Sequence, residues 1–236
     1  MFLSIIIPAY NEEKRIGQTL DIYLQYFKKD KVEIIVVLNG CRDNTLEIVK
    51  NYKTKNPGVV KYINIKETIG KGGGVKRGFE EAIGDLIGFV DADSSTSPEE
   101  YNRLISHIAE ANGVIASRWK RGAKVINRTF LRKIISFGFA FLVKILFWLP
   151  YSDTQCGAKI FKKEAIKRVI GKLTVFNMGF DVELLYLMKI NNFYIKEIPT
   201  VWVDKSSSAF LGSPFKILIN SISMFLTLIF LRIKYI

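Results

Sequence analysis

The chain has 236 residues, 49% of them hydrophobic, and a formal charge of +13. That length accommodates one large domain with a full core, and the positive balance implies an anionic partner. Two cysteines, Cys41 and Cys156, stand in different motifs, which argues against a fold held by disulfides.

The opening stretch "MFLSIIIPAYNEE" has no basic leader and meets acids at once, so the expected location is the cytoplasmic side. Leu3 to Ile7 reads as a strand stopped by Pro8. Asn11 is then placed to cap a helix whose Ile16, Leu20, Leu24 and Phe27 recur at helical spacing. Glu33 to Leu38 is a second strand, followed by a polar turn and a helix on Leu46, Val49 and Tyr52. Val59 to Ile65 is a third strand, and the glycine-rich stretch "GKGGGVKRG" (70–78) opens a helix on Val75, Phe79 and Ile83. Leu86 to Val90 is a short apolar run that predicts a buried fourth strand ending at Asp91. Ser97-Pro98-Glu99-Glu100 starts the next helix with a capping box and Pro at the first position.

Strand and helix alternating over short connections predict a mostly parallel sheet covered by helices on both faces. The expected organisation is one α/β, Rossmann-like domain over 1–204. Residues 1–120 form its nucleotide-binding half and 121–204 a more mixed acceptor half.

Charge is distributed unevenly. No acid occurs between Glu110 and Asp153 or after Asp204, and these two segments hold twelve of the thirteen net charges. They are also the most apolar: "FLRKIISFGFAFLVKILFWL" (130–149) and "FKILINSISMFLTLIFLRIKYI" (215–236) mix long apolar runs with Lys and Arg. Nucleic acid is therefore a poor partner. A membrane surface suits both properties, because anionic headgroups attract the cations and the acyl boundary takes the apolar face. The uncharged run 217–231 is shorter than the roughly 20 residues a span needs. The expectation is peripheral or monotopic association through amphipathic helices over about 127–149 and within 205–236. Core helices or a dimer seam fit the same pattern. His107, flanked by Leu104 and Ile108, receives no role.

Asp91 and Asp93 stand where the fourth strand ends, and ligands of open α/β sheets bind beyond the carboxyl ends of strands. Two carboxylates one residue apart can share a divalent cation that also holds a diphosphate, and Mg²⁺ or Mn²⁺ suits such oxygen donors. The glycine stretch puts backbone amides and Lys71 where phosphate is met, or else makes a tight turn without a ligand. It is neither a Walker A loop nor a dinucleotide fingerprint, which counts against ATP hydrolysis and hydride transfer.

Taken in order, "SIIIPAYNEE", "EIIVVLNGCRDNT", "GKGGGVKRGF", "GFVDADSS", "SR" (117–118), "DTQCGAKIF" (153–161) and "FDVELL" (180–185) resemble the inverting family 2 glycosyltransferases of GT-A fold. Within them they are most similar to the polyprenyl (dolichyl) phosphate glucosyl- and mannosyltransferases. The resemblance implies transfer of a hexose, glucose before mannose, from a nucleotide sugar to polyprenyl phosphate. UDP-hexose is the preferred donor and GDP-mannose the second. It also implies that Pro8, Ala9, Tyr10 and Glu12 contact the nucleoside, that Lys71 lies near the donor, and that Asp91, Asp93 and Ser95 form the metal side. Arg118 would face the transferring phosphate, Gln155 would bind substrate and Lys205 would meet the acceptor phosphate.

Relatives commonly carry an aspartate where this chain has Leu38, leaving Asn39, which both donates and accepts hydrogen bonds, to read the donor base. A phosphate acceptor is already ionised at pH 7 and needs no strong base. If the acceptor is instead the hydroxyl of a growing glycan, Asp181 or Glu183 is the candidate base. A non-catalytic nucleic-acid-binding module is the remaining alternative.

Overall fold

In the computed structural model, residues 1–127, 129–205 and 214–235 are described, with side chains omitted at 130–132, 134 and 214–221. Leu3–Ala9 (β1), Val32–Asn39 (β2), Val60–Ile65 (β3) and Leu86–Val90 (β4) pair in parallel, joined by helices Ile16–Tyr26 (α1), Thr45–Lys55 (α2) and Gly70–Glu81 (α3). Helix Pro98–Ser106 (α4) leads to Gly113–Ser117 (β5) and Lys124–Ile126 (β6). Then come Phe130–Phe147 (α5), Ala158–Lys162 (β7), Lys163–Val169 (α6), Phe180–Ile190 (α7), Ile195–Pro199 (β8), Val201–Val203 (β9) and Pro214–Tyr235 (α8).

Seven strands form one sheet in the order β3-β2-β1-β4-β7-β5-β8. Among the described residues only β7 of this sheet runs antiparallel, and it lies between β4 and β5. A strand that follows α5 in the chain thus sits between β4 and β5 within one continuous sheet. Alternation along β1 divides the core: Ile5 and Ile7 face α1, α2 and α4, whereas Ile6 joins Phe79, Phe89 and the α7 residues Val182 and Leu185 on the other face.

Ser97 caps α4 as expected, accepting the Glu100 N–H at 3.4 Å, with Pro98 at the first position. Asn11 does not cap α1. The helix starts only at Ile16, and Asn11 adopts a left-handed φ of 54°, its side chain accepting the Arg42 N–H at 2.8 Å. Ile83 also departs from the periodic reading, because α3 ends at Glu81 and leaves Ile83 exposed.

Helix α5 turns its Val143 and Phe147 inward and leaves Phe137, Phe141 and Ile145 exposed. It stops at Trp148, which takes a left-handed φ of 53° and is 75% exposed. On α8, Leu228 and Leu231 are fully buried, so this helix is partly core, while Ile222, Phe225, Phe230 and Ile233 face outward. Arg232 Nη1 donates to the Leu146 carbonyl at 2.8 Å, tying α8 to α5. No described helix is long and apolar enough to cross a membrane.

Candidate active site

After β1 the chain adds β2 and β3 on one side, then crosses to place β4 on the other. The carboxyl ends of β1 and β4 therefore border a topological switch point, where parallel strands leave a crevice open. Pro8, Ala9 and Tyr10 close β1 there, and Asp91 follows β4. The DADSS turn is fixed from below by α1. Thr19 Oγ1 donates to the Ala92 carbonyl at 2.7 Å and meets Ser94 Oγ at 2.6 Å, and Tyr23 OH donates to the Thr96 carbonyl at 3.0 Å.

Three acids converge on this turn. Asp93 accepts the Ser95 N–H at 2.9 Å, and its pKa is raised by burial and then by the negative charge of Asp91. Glu12 is raised mainly by burial, with Asp93 and Asp91 adding to it, against the opposing pull of Arg15. Arg15 grips Glu12 as a fork, Nε to Oε2 and Nη2 to Oε1, both at 2.6 Å. Asp91 Oδ1 is paired with Lys71 Nζ at 2.5 Å. A Cβ on Gly157 would overlap the Asp91 carboxylate, so glycine is required at that point of the DTQCG stretch.

Among the described residues no three His, Cys, Asp or Glu side chains close on a common metal position. A site of two carboxylates nonetheless suits Mg²⁺ or Mn²⁺, whose other positions go to water and substrate phosphates. The side chains fit such an ion. The two carboxylates repel each other, and the buried Ser95 side chain lies within reach of Asp93, so oxygen donors are gathered at one point.

Beneath Asp91 lies a second charge layer that sequence reasoning missed. Lys159, on β7, is fully buried, donating to Asp181 Oδ1 at 2.5 Å and to the Cys156 carbonyl at 2.7 Å. Its ammonium and that of Lys71 both lie over the Phe89 ring, at 5.2 and 5.8 Å. Burial would lower the Lys71 pKa, but Asp91 and then Asp181 raise it on balance, so it stays cationic.

Asp181, the candidate base for a hydroxyl acceptor, is the buried partner of Lys159. Burial raises its pKa against the pull of Lys159. Both oxygens of Glu183, the other candidate base, are occupied. Oε2 accepts the N–H groups of Thr174 (2.8 Å) and Val175 (2.7 Å), and Oε1 accepts the Thr174 and Tyr235 hydroxyls, each at 2.8 Å.

Asn39 is engaged by backbone as well. Its Nδ2 donates to the Gly70 carbonyl at 2.8 Å and its Oδ1 accepts the Ile69 N–H at 2.7 Å, so the amide holds the start of α3. A polar cleft of about 500 Å³ opens along Asn11 to Arg15 and Arg42–Asp43, beyond β1 and β2.

Arg118 is pinned by Asp153, Nε to Oδ2 at 2.7 Å and Nη2 to Oδ1 at 2.9 Å, and lies 5.3 Å from the Trp202 ring centroid. Burial pushes the Asp153 pKa up, but Arg118 outweighs it and holds it at about 2. Gln155 Nε2 donates to the Met178 carbonyl at 2.9 Å. Lys205 follows β9, which is stitched to the acidic turn by the Val203 N–H on the Ser95 carbonyl at 3.1 Å.

The model of glycosyl transferase family 2 matches residues 4–170. A dolichyl-phosphate beta-glucosyltransferase of Dictyostelium discoideum is 34% identical, over 100% of this chain and 75% of its own length. That of Homo sapiens is 32% identical, over 99% of this chain and 75% of its own length. One from Trichomonas vaginalis is 36% identical, over 88% of this chain and 66% of its own length. Glucosyl-3-phosphoglycerate synthase from Mycobacterium tuberculosis, solved with Mn²⁺, UDP and glucosyl-3-phosphoglycerate, superposes with a TM-score of 0.74 at 16% identity, over 98% of this chain and 79% of that one. The same synthase solved with Mn²⁺, UDP-glucose and phosphoglyceric acid gives a TM-score of 0.72 at 15% identity, over 98% and 79% of the two chains. These two superpositions identify the GT-A fold.

Proposed function

Because the chain belongs to glycosyl transferase family 2, we propose that it transfers glucose from UDP-glucose to a polyprenyl phosphate of the dolichyl type, with inversion at the anomeric carbon. The observation that carries this reading is the likeness to dolichyl-phosphate beta-glucosyltransferases along the whole chain.

The nucleoside would lie over Pro8, Ala9 and Tyr10, with Glu12 held by Arg15 for the ribose. Lys71 and the first amides of α3 would meet the diphosphate. Asp91, Asp93 and Ser95 would hold Mg²⁺ or Mn²⁺, which supplies electrostatic stabilisation of the leaving diphosphate. An oxygen of the acceptor phosphate attacks the anomeric carbon from the face opposite the donor diphosphate. A new C–O bond forms as the bond to the diphosphate breaks, and that electron pair leaves with the nucleoside diphosphate. No proton is removed from the acceptor, which agrees with the engagement of Asp181 by Lys159 and of Glu183 by Thr174 and Tyr235. Arg118, Gln155 and Lys205 are the acceptor-side residues of this reading.

The outward apolar residues of α5 and α8 would rest on an anionic membrane surface, since these two helices also carry Lys133, Lys144, Arg232 and Lys234. The reading places the chain on the cytoplasmic face, a reducing compartment that suits the free thiols of Cys41 and Cys156.

The test is product analysis with UDP-glucose or GDP-mannose and a short polyprenyl phosphate. The expected product is a glucosyl phosphodiester cleaved by mild acid. An acid-stable product formed only on a glycan acceptor would refute the reading.

A further inference from the structure

Glu183 is a buried charge that the proposed chemistry does not use. Besides its bonds to Thr174, Val175 and Tyr235, it takes Lys234 Nζ at 3.2 Å, so one carboxylate joins the last turn of α8 to the segment 174–175. Burial alone would raise its pKa. The Val175 and Thr174 donors outweigh burial and hold it below the ordinary value, so it remains an anion.

The same segment carries the start of α3. The Gly73 N–H donates to the Phe176 carbonyl at 3.2 Å, and Lys76 Nζ donates to the Leu173 carbonyl at 3.0 Å. The approach is so close that a Cβ on Gly70 would overlap the Phe176 carbonyl. One on Gly72 would lie 2.8 Å from the Val175 carbonyl and overlap Phe180. The glycines of "GKGGG" therefore serve contact with 174–176 as much as any phosphate. Lys71, one residue into this helix, is the partner of Asp91. Farther along α8, Asn177 Nδ2 donates to Thr227 Oγ1 at 2.8 Å, a second tie on the same loop.

We infer that Glu183 is a positioning residue that joins α8, the helix with the outward apolar face, to the phosphate end of α3, so that the seating of α8 sets donor affinity. The inference rests on the proposed donor site, but one arm of its test does not need that site.

Three proteins are compared: the full chain, Glu183→Gln, and Lys234→Met/Tyr235→Phe, which removes the α8 donors while keeping their packing. Hydrogen–deuterium exchange is read at the amides of residues 70–76, and UDP affinity is measured with Mn²⁺ present. Loss of a local tie is expected to speed exchange there about tenfold in both variants, with exchange in β1 and β4 unchanged. The dissociation constant for UDP should rise about fivefold or more, the usual range of coupling between sites, while kcat at saturating donor stays within about twofold. If Glu183→Gln does not fold, the double variant carries the test. Unchanged exchange at 70–76 in the double variant overturns the inference, as does faster exchange throughout the chain with a matching fall in kcat. If the full chain binds no UDP yet exchange at 70–76 responds as stated, the donor reading fails and the mechanical link stands.

Discussion

The pair Lys159–Asp181 offers a sharp test of how the core beneath the acidic turn is built. Lys159 is 0% exposed and Asp181 1% exposed, and the Lys159 ammonium lies over the Phe89 ring. Lys159→Met keeps the length of the side chain and strands a carboxylate in the core. Breaking a buried pair from one side costs about 3–5 kcal/mol. With an unfolding entropy of about 2.1 cal/mol/K per residue, a chain of this size should lose roughly 2 °C of midpoint for each kcal/mol, so a fall of roughly 6–10 °C is expected. Lys159→Met/Asp181→Leu removes both charges and should recover most of that loss, because replacing a buried pair by apolar groups is often neutral.

The pH dependence has a definite sign. The folded pKa of Asp181 is already raised with Lys159 present, and it rises further without it. A carboxyl raised on folding stabilises fully below its unfolded pKa of about 3.9 and loses that contribution as pH climbs through the folded value. The single variant should therefore be hurt least near pH 4 and most at pH 7. Urea melts of the three proteins at both pH values measure this. A loss below about 1 kcal/mol at pH 7, or equal instability of the double variant, would mean that water reaches the pair and that it is not a buried layer.

Asp93→Asn should reduce turnover at least about a hundredfold, the scale of a lost preorganised electrostatic group, and chelation of divalent cations should abolish it; full rates in excess chelator would remove the metal from the reading. Gly157→Ala should displace Asp91 and weaken Mn²⁺-dependent UDP binding about tenfold or more, since one misplaced ligand costs that much in a metal site; isothermal titration gives the value. Replacing Phe225, Phe230 and Ile233 together by Ser should reduce binding to anionic vesicles about tenfold or more, because each apolar side chain contributes roughly 1.5–3 kcal/mol when buried. UDP affinity in the absence of vesicles should be unaltered, and sedimentation with vesicles settles the point.

What the sequence made legible was whatever local pattern controls. β1, β2 and β4 are mostly apolar because both sheet faces are covered, and Ser97-Pro98 starts α4 because capping is a four-residue event. The insertion of β7 between β4 and β5 is not local, and chain order carries no signal for it. Asn11 misled because an Asn suits a left-handed turn as well as a cap. Periodicity reads a lysine in a strand as solvent-facing, which hid Lys159, whose partner Asp181 lies 22 residues away. At the site, the Asp91–Asp93 spacing could be read directly, whereas the occupation of Asn39 and Glu183 by backbone groups of other segments could not. Arg15 had a weak signal, an arginine three residues after Glu12 at the start of a helix.

The tryptophans give the molecule a set of optical reporters. Trp202 lies over the guanidinium of Arg118, Trp119 packs edge-on to Phe137 of α5 at 6.3 Å, and Trp148 stands almost bare at the end of that helix. Trp148 faces water and should emit toward the red, moving blue when an apolar phase covers it. Trp202 sits against that cation, and its emission should change with any ligand that draws Arg118 away from Asp153. With Trp148→Phe and Trp202→Phe as references, contact with a lipid surface and occupancy beside Arg118 separate into two colours and intensities of one spectrum, without a label.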